Sequence, residues 1–296
     1  MSRQPWHGVL TATALPFKPD LSVDFDRFAA HVAWQAEMGC DGVAVNGSLG
    51  EYQTLTPDER AKAVEIAVQA APKGFVVMPG VAAYGTAESV RWAEQAAKAG
   101  AQCVMLLPPN AYRGDDRAVL QHYKEVAAVG LPIVAYNNPI DTKIDLVPGT
   151  LAKLHELGYI KAVKEFTGDV RRAYEIRELA PELDLMIGSD DVLLELGIAG
   201  AVGWVAGYTN AFPKSTIELY KLSLARDVEK ALPLYRLMHP LLRWDSKTEF
   251  VQSIKLSMDM VGRYGGPCRP PRQPLTPEQE KSVRAVTQAA IDAGLN

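Results

Sequence analysis

The sequence lacks any concentration of positive charge. Its 31 lysine and arginine residues are outnumbered by 35 aspartate and glutamate residues, which gives a formal net charge of −4 at pH 7 and a pI of about 5.8. No basic stripe of the kind that neutralises phosphate groups is visible along the 296 residues. The composition therefore argues against nucleic acid or an acidic membrane surface as a partner.

Cysteine is scarce and unpaired. Cys40, Cys103 and Cys268 lie far apart and have neither the spacing of a zinc site nor that of a redox pair, and the five histidines are scattered as well. An odd number of isolated thiols fits a reducing cytosol better than a secreted protein built on disulfides. We therefore expect a cytoplasmic protein without a metal site.

Long hydrophobic runs are also missing. No window approaches the roughly 18–20 apolar residues that a membrane-spanning helix needs. The stretch MSRQPWHGVLTATALPF has no basic start followed by a long apolar run, so it does not resemble a signal peptide. Because 48% of the residues are nevertheless hydrophobic, the chain can bury a large core, and we expect a soluble protein with no membrane partner.

What the chain does have is an alternation of short apolar runs with helical patterns. Eight runs have the length of buried strands: 8–17, 42–47, 75–81, 103–109, 132–139, 160–166, 183–189 and 201–207. Candidate helices lie between them at 24–38, 56–70, 86–99, 116–129, 150–157, 169–180 and 190–199. Strands that alternate with helices pair in parallel through crossover helices. The pattern predicts an α/β protein, a closed (β/α)8 TIM barrel with additional C-terminal helices.

An open doubly wound sheet is the alternative. It requires a glycine-rich phosphate loop after the first strand, but the corresponding segment, TATALPF, contains no glycine. Residues 213–263 are predicted to be helical, and 265–274 form an irregular linker into a last helix at 277–293. We expect a barrel core over 1–212 and a C-terminal helical extension over 213–296 that packs on the barrel.

Two helix starts and two helix ends carry chemical signals. Thr56-Pro57-Asp58-Glu59 offers a capping hydroxyl, a proline at the first helical position and a glutamate three residues past the cap, and Thr276-Pro277-Glu278-Gln279 repeats this pattern. Gly39 and Gly100 stand where helix ends need a left-handed residue.

The most informative strand end is the sixth. In barrels of this kind the active residues lie at the C-terminal ends of the strands and in the loops that follow. Lys164 shares its side of the strand with Ala162 and Phe166, because side chains two apart point the same way. Apolar surroundings lower the pKa of an amine, and a neutral amine can form a Schiff base with a carbonyl. The alternatives are that Lys164 pairs with Glu165 or reaches water past the strand end.

The fifth strand ends in Tyr136-Asn137-Asn138-Pro139. A phenol near a lysine that forms an iminium can carry protons to and from the carbinolamine. The alternative is that Tyr136 packs inside the barrel with its hydroxyl bonded locally. Asn137, Asn138 and Pro139 are equally typical of a tight turn.

The loop after the second strand contains Gly47-Ser48-Leu49-Gly50-Glu51. Glycines let backbone N–H groups converge, and the helix start at Thr56 favours anions nearby. The carboxylate of a small oxo acid is a suitable occupant, with Ser48 adding a hydroxyl, although an ordinary glycine-rich turn is the alternative. After the seventh strand, we interpret Asp190 and Asp191 as helix-start residues rather than metal ligands.

Together these positions resemble the dihydrodipicolinate synthase / N-acetylneuraminate lyase family of class I aldolases. That family has a G-[ST]-[ST]-G-E loop, a Y-N-x-P strand end and a lysine in a K-E-x-[ST]-G/S context. The matching segments here are Gly47 to Glu51, Tyr136 to Pro139 and Lys164 to Gly168. The resemblance covers nearly the whole chain and implies an iminium between Lys164 and a small-molecule 2-oxo acid or an equivalent cyclic imine.

The same resemblance implies roles for the other residues. Tyr136 transfers protons, while the backbone from Gly47 through Leu49 and the Ser48 hydroxyl hold the substrate carboxylate. A main-chain carbonyl near Gly203 lines the site. The iminium acts as an electron sink, so that a C–C bond or a leaving group at C3–C4 is broken or made through an enamine. No metal or diffusible cofactor is implied, and a homo-tetramer built as a pair of dimers is expected.

Three departures from the family pattern narrow the activity. Leu49 replaces the second hydroxyl of the loop. Where dihydrodipicolinate synthase proper has an arginine that grips a second carboxylate, this chain has Asp141, which would repel one. That enzyme also borrows a tyrosine from a neighbouring subunit, and here Ala111 takes the aligned position with Tyr112 one place off. Asp141 either orients a substrate hydroxyl or is a solvated turn residue.

The sequence is more similar to a branch that includes 1-pyrroline-4-hydroxy-2-carboxylate deaminases. The features are GSLGE, YNNP, a PP-x-x-Tyr-Arg-Gly stretch from Pro108 to Gly114 and a KE-x-x-x-Asp-Val-Arg-Arg stretch from Lys164 to Arg172. Dehydration and deamination to 2,5-dioxopentanoate is therefore the first expectation. Another 2-oxo acid aldolase or dehydratase comes second, and 4-hydroxy-tetrahydrodipicolinate synthase third. A barrel that binds a ligand without catalysis is the alternative from a different class.

Overall fold

Short runs rich in apolar residues form the strands, because strands covered on both faces favour continuous hydrophobic segments. The computed structural model describes residues 3–110 and 112–296. Within them the strands are β1 (Gly8–Ala12), β2 (Gly42–Val45), β3 (Val76–Pro79), β4 (Val104–Leu106), β5 (Ile133–Asn137), β6 (Ala162–Glu165), β7 (Asp184–Ile187) and β8 (Gly203–Ala206).

The strands pair in parallel in the order β3-β2-β1-β8-β7-β6-β5-β4. A parallel bridge between Gly80 and Met105 joins β3 to β4, and the Val81 N–H donates to the Met105 carbonyl at 2.9 Å. This bridge brings the two ends of the sheet together into a barrel. The predicted (β/α)8 TIM barrel with additional C-terminal helices is confirmed.

The helices of the described residues lie outside this ring. They are α1 (Phe25–Glu37), α2 (Pro57–Ala70), α3 (Thr86–Ala99), α4 (Asp116–Ala127), α5 (Pro139–Thr142), α6 (Pro148–Glu156), α7 (Arg171–Leu179), α8 (Leu193–Ile198), α9 (Pro213–Leu224), α10 (Val228–Asp245), α11 (Phe250–Met260) and α12 (Pro277–Asp292). Short 3-10 helices occur at Tyr52–Thr54, Asp190–Val192 and Tyr208–Asn210. In the described part of the chain, every helix is too short or too polar to cross a membrane.

The predicted helix ends are confirmed. Thr56 and Thr276 each accept a hydrogen bond from the backbone three residues on, and the side chain of that third residue accepts one in return from the threonine N–H. Gly39 (φ +93°) and Gly100 (φ +96°) adopt the left-handed conformation that helix ends require. These signals therefore set where α2 and α12 begin and where the chain leaves α1 and α3.

Alternation along each strand separates two hydrophobic layers. Val9, Val43 and Val163 point outward and pack in the large core between barrel and helices. Leu10, Ala44 and their equivalents point inward and fill the barrel, and this inner layer also contains Tyr136. Burying each aliphatic side chain of this size contributes roughly 1.5–3 kcal/mol before entropy is counted. The inner layer closes the bottom of the barrel and leaves the C-terminal ends of the strands to form a site.

The helices after β8 pack against the barrel and reach its C-terminal face. The Tyr220 hydroxyl of α9 donates to the Val202 carbonyl at 2.8 Å, just before β8. The Tyr235 hydroxyl of α10 donates to Glu195 Oε2 at 3.1 Å. The last residue of α10, Asp245, is buried at the end of the barrel where the strands finish. This part of the chain therefore contributes directly to the site described next.

Candidate active site

A cavity of about 390 Å³ opens at the C-terminal end of the barrel, where enzymes with this fold carry their active residues. Its size suits a small-molecule substrate. Strand ends and the residues just after them form the floor and walls: Ala12, Ala44, Met105, Tyr136, Lys164, Val205 and Gly207. Residues from the C-terminal helices and their linker complete it: Asp245, Ser246, Lys247, Thr248, Phe250 and Arg272.

Lys164 projects into this cavity from β6 and is 6% exposed. Its Nζ lies 4.1 Å from the centroid of the Tyr136 ring and 5.6 Å from that of Phe166, and Nζ makes no hydrogen bond or ion pair within the described residues. Burial lowers the pKa of this amine to about 8, while the carboxyl groups of Asp245 and Asp190 act in the opposite direction. The side chain is therefore close to the neutral form that a nucleophile needs.

The neighbouring Glu165 faces away from the cavity and does not pair with Lys164. Its carboxylate accepts hydrogen bonds from Asn137 Nδ2 at 3.0 Å and from the Thr167 N–H at 2.7 Å. A side chain at Gly188 would meet the Glu165 carbonyl and come within 3.1 Å of Lys164 Cγ, so the glycine provides the space that this lysine occupies. Of the sequence alternatives for Lys164, pairing with Glu165 is therefore wrong.

Tyr136 lies on β5 directly opposite Lys164 in the sheet register. Its hydroxyl accepts a hydrogen bond from Asn138 Nδ2 at 3.2 Å, and no described residue accepts its proton. Burial raises the pKa of the phenol, so the group keeps its proton at neutral pH. Tyr136 is thus positioned to exchange a proton with a molecule bound in the cavity.

The loop after β2 forms the opposite wall. It begins and ends with residues in the left-handed conformation, Asn46 (φ +55°) and Glu51 (φ +53°), which turn the backbone sharply. Gly47, Ser48 and Leu49 line the cavity. Within residues 3–110 and 112–296, no group accepts a hydrogen bond from the Ser48 or Leu49 N–H. These free donors are what a carboxylate requires.

Glu51 anchors this loop to the C-terminal part of the chain. Its side chain is fully buried, and Oε1 accepts a hydrogen bond from Lys255 Nζ at 2.7 Å while Oε2 accepts one from the Arg269 N–H at 2.9 Å. Lys255 also donates to the Pro267 carbonyl at 2.9 Å. The sequence interpretation missed this anchor, although Lys255 has apolar Val251 and Met258 at helical spacing on the buried face of α11.

Two carboxyl groups flank the amine. Asp190 accepts hydrogen bonds from Trp204 Nε1 at 2.7 Å and from the Gly207 N–H at 3.1 Å. Asp245 lies against the other side of Gly207, where an added Cβ would collide with its Oδ1. Burial raises the pKa of both groups. Asp190 does begin a 3-10 helix, but its position beside Lys164 was not predicted.

Asp245 was not predicted either. The available signal was its place one helical turn after Leu241 on the buried face of α10, where a carboxylate is unusual. That signal shows burial but does not show what the side chain faces.

One predicted site residue requires correction and others lie at the margin. Gly203 is the first residue of β8, packed on the Trp6 carbonyl and Met186, and it does not itself line the cavity, so the substrate contact expected near Gly203 shifts to later residues of β8. The residues of this strand and its end that do line the cavity are Val205 and Gly207. The shift arises because β8 begins at Gly203 and ends at Ala206, and it is the end of the strand that reaches the cavity.

Asp141 lies at the cavity mouth, exposed, and accepts a hydrogen bond from Asn138 Nδ2 at 2.9 Å. Ala111 lies outside the described residues, and Tyr112 is 67% exposed. In the part of the chain that the structure describes, no three His, Cys, Asp or Glu side chains converge in a way that could hold a metal ion.

This arrangement defines a class of protein. A parallel barrel with a buried, unpartnered lysine beside a phenol, at the catalytic end of the strands, is the site of a class I aldolase-type lyase.

Comparison with known proteins agrees with this class. Residues 5–290 match the model of the Dihydrodipicolinate synthetase family. The 4-hydroxy-tetrahydrodipicolinate synthase of Methanothrix thermoacetophila is 32% identical over 97% of this chain and 98% of its own. That of Bartonella henselae is 32% identical over 97% and 98%. The crystal structure of dihydrodipicolinate synthase from Aquifex aeolicus has a TM-score of 0.91 at 26% identity and covers 98% of this chain and 99% of its own.

The chain therefore belongs to the dihydrodipicolinate synthetase family, and it is an enzyme of the class I aldolase-type lyases. The resemblance inferred from three short motifs is confirmed at the level of the family. The family membership does not by itself select one reaction.

Proposed function

We propose that this enzyme dehydrates and deaminates 1-pyrroline-4-hydroxy-2-carboxylate to 2,5-dioxopentanoate through a Schiff base on Lys164. The observation that carries the proposal is the pair of a buried, unpartnered amine and a buried phenol, with the Nζ of Lys164 4.1 Å from the Tyr136 ring centroid. The free N–H donors at Ser48 and Leu49 can hold one substrate carboxylate.

The first steps use the cavity walls in turn. The Ser48 and Leu49 N–H groups and the Ser48 hydroxyl hold the carboxylate, as free backbone donors favour an anion. The neutral Lys164 nitrogen attacks C2 of the ring C=N, and the ring C–N bond then breaks to leave an open-chain amine and an iminium on Lys164. Tyr136 carries the protons that these transfers require, because its O–H faces the cavity without another acceptor.

The later steps release water and ammonia. The iminium withdraws electrons from C3, loss of a C3 proton gives the enamine, and the enamine expels the C4 hydroxyl as water. Isomerisation places a C=N bond at C5, and hydrolysis there releases ammonia, while hydrolysis of the Lys164 iminium releases the product. One water is formed and two are consumed, so the overall reaction uses one water.

Two carboxyl groups in the cavity lining suit this reaction better than one with a dicarboxylate. Asp141 at the mouth would repel a second carboxylate, and the Asp245 carboxyl group in the wall can share a hydrogen bond with a substrate hydroxyl. A cyclic imine with one carboxylate and one hydroxyl matches this distribution. The absence of an arginine at position 141 is then no handicap.

The test compares two reactions of the same preparation. Ammonia release from the hydroxy-pyrroline carboxylate is measured beside the condensation of pyruvate with an aldehyde. We expect ammonia release that is lost in Lys164→Ala and no condensation. Condensation without ammonia release would reject the proposed reaction while leaving the Schiff-base site in place.

The second candidate is 4-hydroxy-tetrahydrodipicolinate synthesis. It is favoured by the names of the relatives in the comparison and by Arg272, a partly buried cation in the cavity lining that offers a partner for a second carboxylate. Formation of 4-hydroxy-tetrahydrodipicolinate by the wild type, weakened in Arg272→Gln, would establish this candidate. Other 2-oxo acid aldolase or dehydratase reactions share the same first step. For these, the Lys164 adduct would form, but neither ammonia nor 4-hydroxy-tetrahydrodipicolinate would be released.

We also propose that the enzyme is a homo-tetramer. Support comes from large apolar side chains left exposed on one protomer, among them Tyr84 (73%), Tyr112 (67%) and Ile140 (59%). Light scattering coupled to gel filtration measures the mass directly, and a mass near that of one 32.2 kDa chain would reject the assembly.

A cytoplasmic location is proposed on similar grounds. Cys40 and Cys103 are buried free thiols and Cys268 is also unpaired, as suits a reducing compartment. Cell fractionation with antibody detection would test this location.

A further inference from the structure

The carboxyl group of Asp245 has no partner, although it is nine-tenths buried. It is 8% exposed, it lines the cavity, and no described residue donates a hydrogen bond to it. Buried polar groups are normally hydrogen-bonded, and each exception calls for an explanation. This residue lines the same cavity as Lys164 and Tyr136, so a molecule bound there can be its partner.

Asp190 and Asp245 flank the same glycine but have different surroundings. Asp190 accepts hydrogen bonds from Trp204 Nε1 and from the Gly207 N–H, which stabilise its carboxylate. Asp245 has no such donors and terminates the helix α10, where the negative end of the helix dipole disfavours a further negative charge. Two neighbouring carboxyl groups in unequal environments separate into one carboxylate and one acid.

The burial of Lys164 also favours a protonated, neutral Asp245. If Asp245 carries a proton, the amine can be neutral, and the cluster of Lys164, Asp190 and Asp245 then buries one charge instead of three. Burial and the neighbouring Asp190 both raise the pKa of Asp245. Asp191 also raises that pKa and Lys164 opposes the rise, and the phenols of Tyr136 and Tyr208 lie close enough to interact with the same carboxyl group.

We propose that Asp245 is the acid that protonates the oxygen atom leaving C4 of the substrate, an assignment that rests on the function proposed above. In the enamine the nitrogen lone pair forms the C2=N bond, the C2=C3 electrons move to C3–C4, and the C4–O bond breaks. The Asp245 proton forms a new O–H bond, so the products are water, a conjugated iminium and the Asp245 carboxylate. One proton is removed from C3 in the preceding step and one is delivered to the leaving oxygen here, so the elimination is balanced in protons.

The test uses Asp245→Asn, which keeps the size and removes the acid. We expect ammonia release from the hydroxy substrate to fall about 10²- to 10⁴-fold. The adduct that pyruvate and borohydride form on Lys164 should stay within about threefold of wild type, as confirmed by mass. A 4-chloro analogue, whose leaving group needs no proton, should be processed by the variant at nearly the wild-type rate.

The matched control is Asp292→Asn. Asp292 is also the last residue of a C-terminal helix, α12, but it is exposed, accepts a hydrogen bond from Gln288 Nε2 at 2.8 Å and does not line the cavity. Its variant should release ammonia at the wild-type rate.

Three outcomes would overturn the assignment, each in a different way. Undiminished ammonia release in Asp245→Asn would reject Asp245 as the acid while the proposed function stands. An equal loss with the chloro analogue, or a lost adduct, would show that Asp245 only supports the structure of the site. A wild-type enzyme that forms the pyruvate adduct but releases no ammonia would overturn the proposed function and this assignment together.

Discussion

Two lysines of this barrel are buried to nearly the same extent in opposite environments. Lys164 is 6% exposed and its amine faces aromatic rings and a cavity without a hydrogen-bonding partner. Lys255 is 2% exposed, but its amine is held by the Glu51 carboxylate at 2.7 Å and by the Pro267 carbonyl at 2.9 Å. Burial alone therefore does not make a lysine reactive. Whether a buried lysine is a structural cation or a nucleophile depends on whether its amine has hydrogen-bonding and ionic partners.

The difference also separates two contributions to the same site. In the proposed mechanism Lys164 supplies the covalent chemistry. Lys255 fixes Glu51, which follows the loop of Gly47, Ser48 and Leu49 proposed to receive the carboxylate. A change at the first should abolish reaction in a folded protein. A change at the second should weaken the fold and loosen substrate binding but leave the nucleophile intact.

The largest expected effect is that of Lys164→Ala. Without the amine no covalent intermediate forms, so we expect turnover to fall by about 10³-fold or more. Mass spectrometry after incubation with pyruvate and borohydride should show no adduct, and circular dichroism should match wild type. Lys161→Ala, exposed just before the same strand, is the control and should keep full activity. An adduct that persists in Lys164→Ala would locate the nucleophile elsewhere.

Tyr136→Phe should have the next largest effect. It removes the proton carrier and keeps the ring, so we expect steady-state turnover about 10²- to 10⁴-fold lower with an adduct that still forms, only more slowly. Rapid-quench mass measurements give the rate of adduct formation. Tyr220→Phe, which removes the bond to the Val202 carbonyl, should cost about 1 kcal/mol of stability and leave turnover unchanged. Equal effects of the two substitutions would contradict a chemical role for Tyr136.

Lys255→Met tests the comparison of the two lysines through its effect on the free energy of unfolding. It leaves Glu51 buried without its cation, which typically costs about 3–5 kcal/mol in the free energy of unfolding. Urea denaturation measures this loss, and KM should rise because the loop is less fixed, while the Lys164 adduct still forms. The double variant Glu51→Gln/Lys255→Met should be more stable than the single one. A loss below about 1 kcal/mol would mean that this ion pair does not hold the loop.

The smallest effect is the pH dependence of adduct formation. Because burial lowers the pKa of Lys164 to about 8, the neutral fraction grows about tenfold per pH unit below that value and levels off above it. The initial rate of adduct formation with pyruvate should follow this curve. Asp190→Asn removes a carboxylate that favours the charged amine, so its midpoint should move to lower pH. A rate independent of pH between 6 and 9 would contradict an amine that titrates there.

The barrel was predictable because its signals are local. Each strand is a short apolar run followed by a helical pattern, and Thr56 and Gly39 mark element ends through rules that involve only a few neighbouring residues. Lys164 and Tyr136 were predictable because the C-terminal ends of parallel strands converge in this fold, so sequence position translates into location.

The rest of the site could not be predicted because it depends on distant contacts. Asp245 reaches the cavity only through the packing of α10, and the bond between Lys255 and Glu51 joins residues 204 positions apart. No periodicity encodes such pairs. The contact expected near Gly203 was displaced by a few residues for a smaller reason, the exact bounds of β8. The division into a core over 1–212 and an extension over 213–296 stays a prediction.

The position of Asp245, Lys255 and Arg269 so late in the chain has a consequence for biosynthesis. On the ribosome all eight strands emerge before these residues do, and at typical elongation rates the remaining segment takes on the order of 10 s to follow. During that interval the Lys164 amine exists without Asp245 beside it and without the ion pair that anchors Glu51. The nascent barrel thus lacks a complete site until translation has passed Arg269, and we expect full turnover to begin only after these contacts have formed.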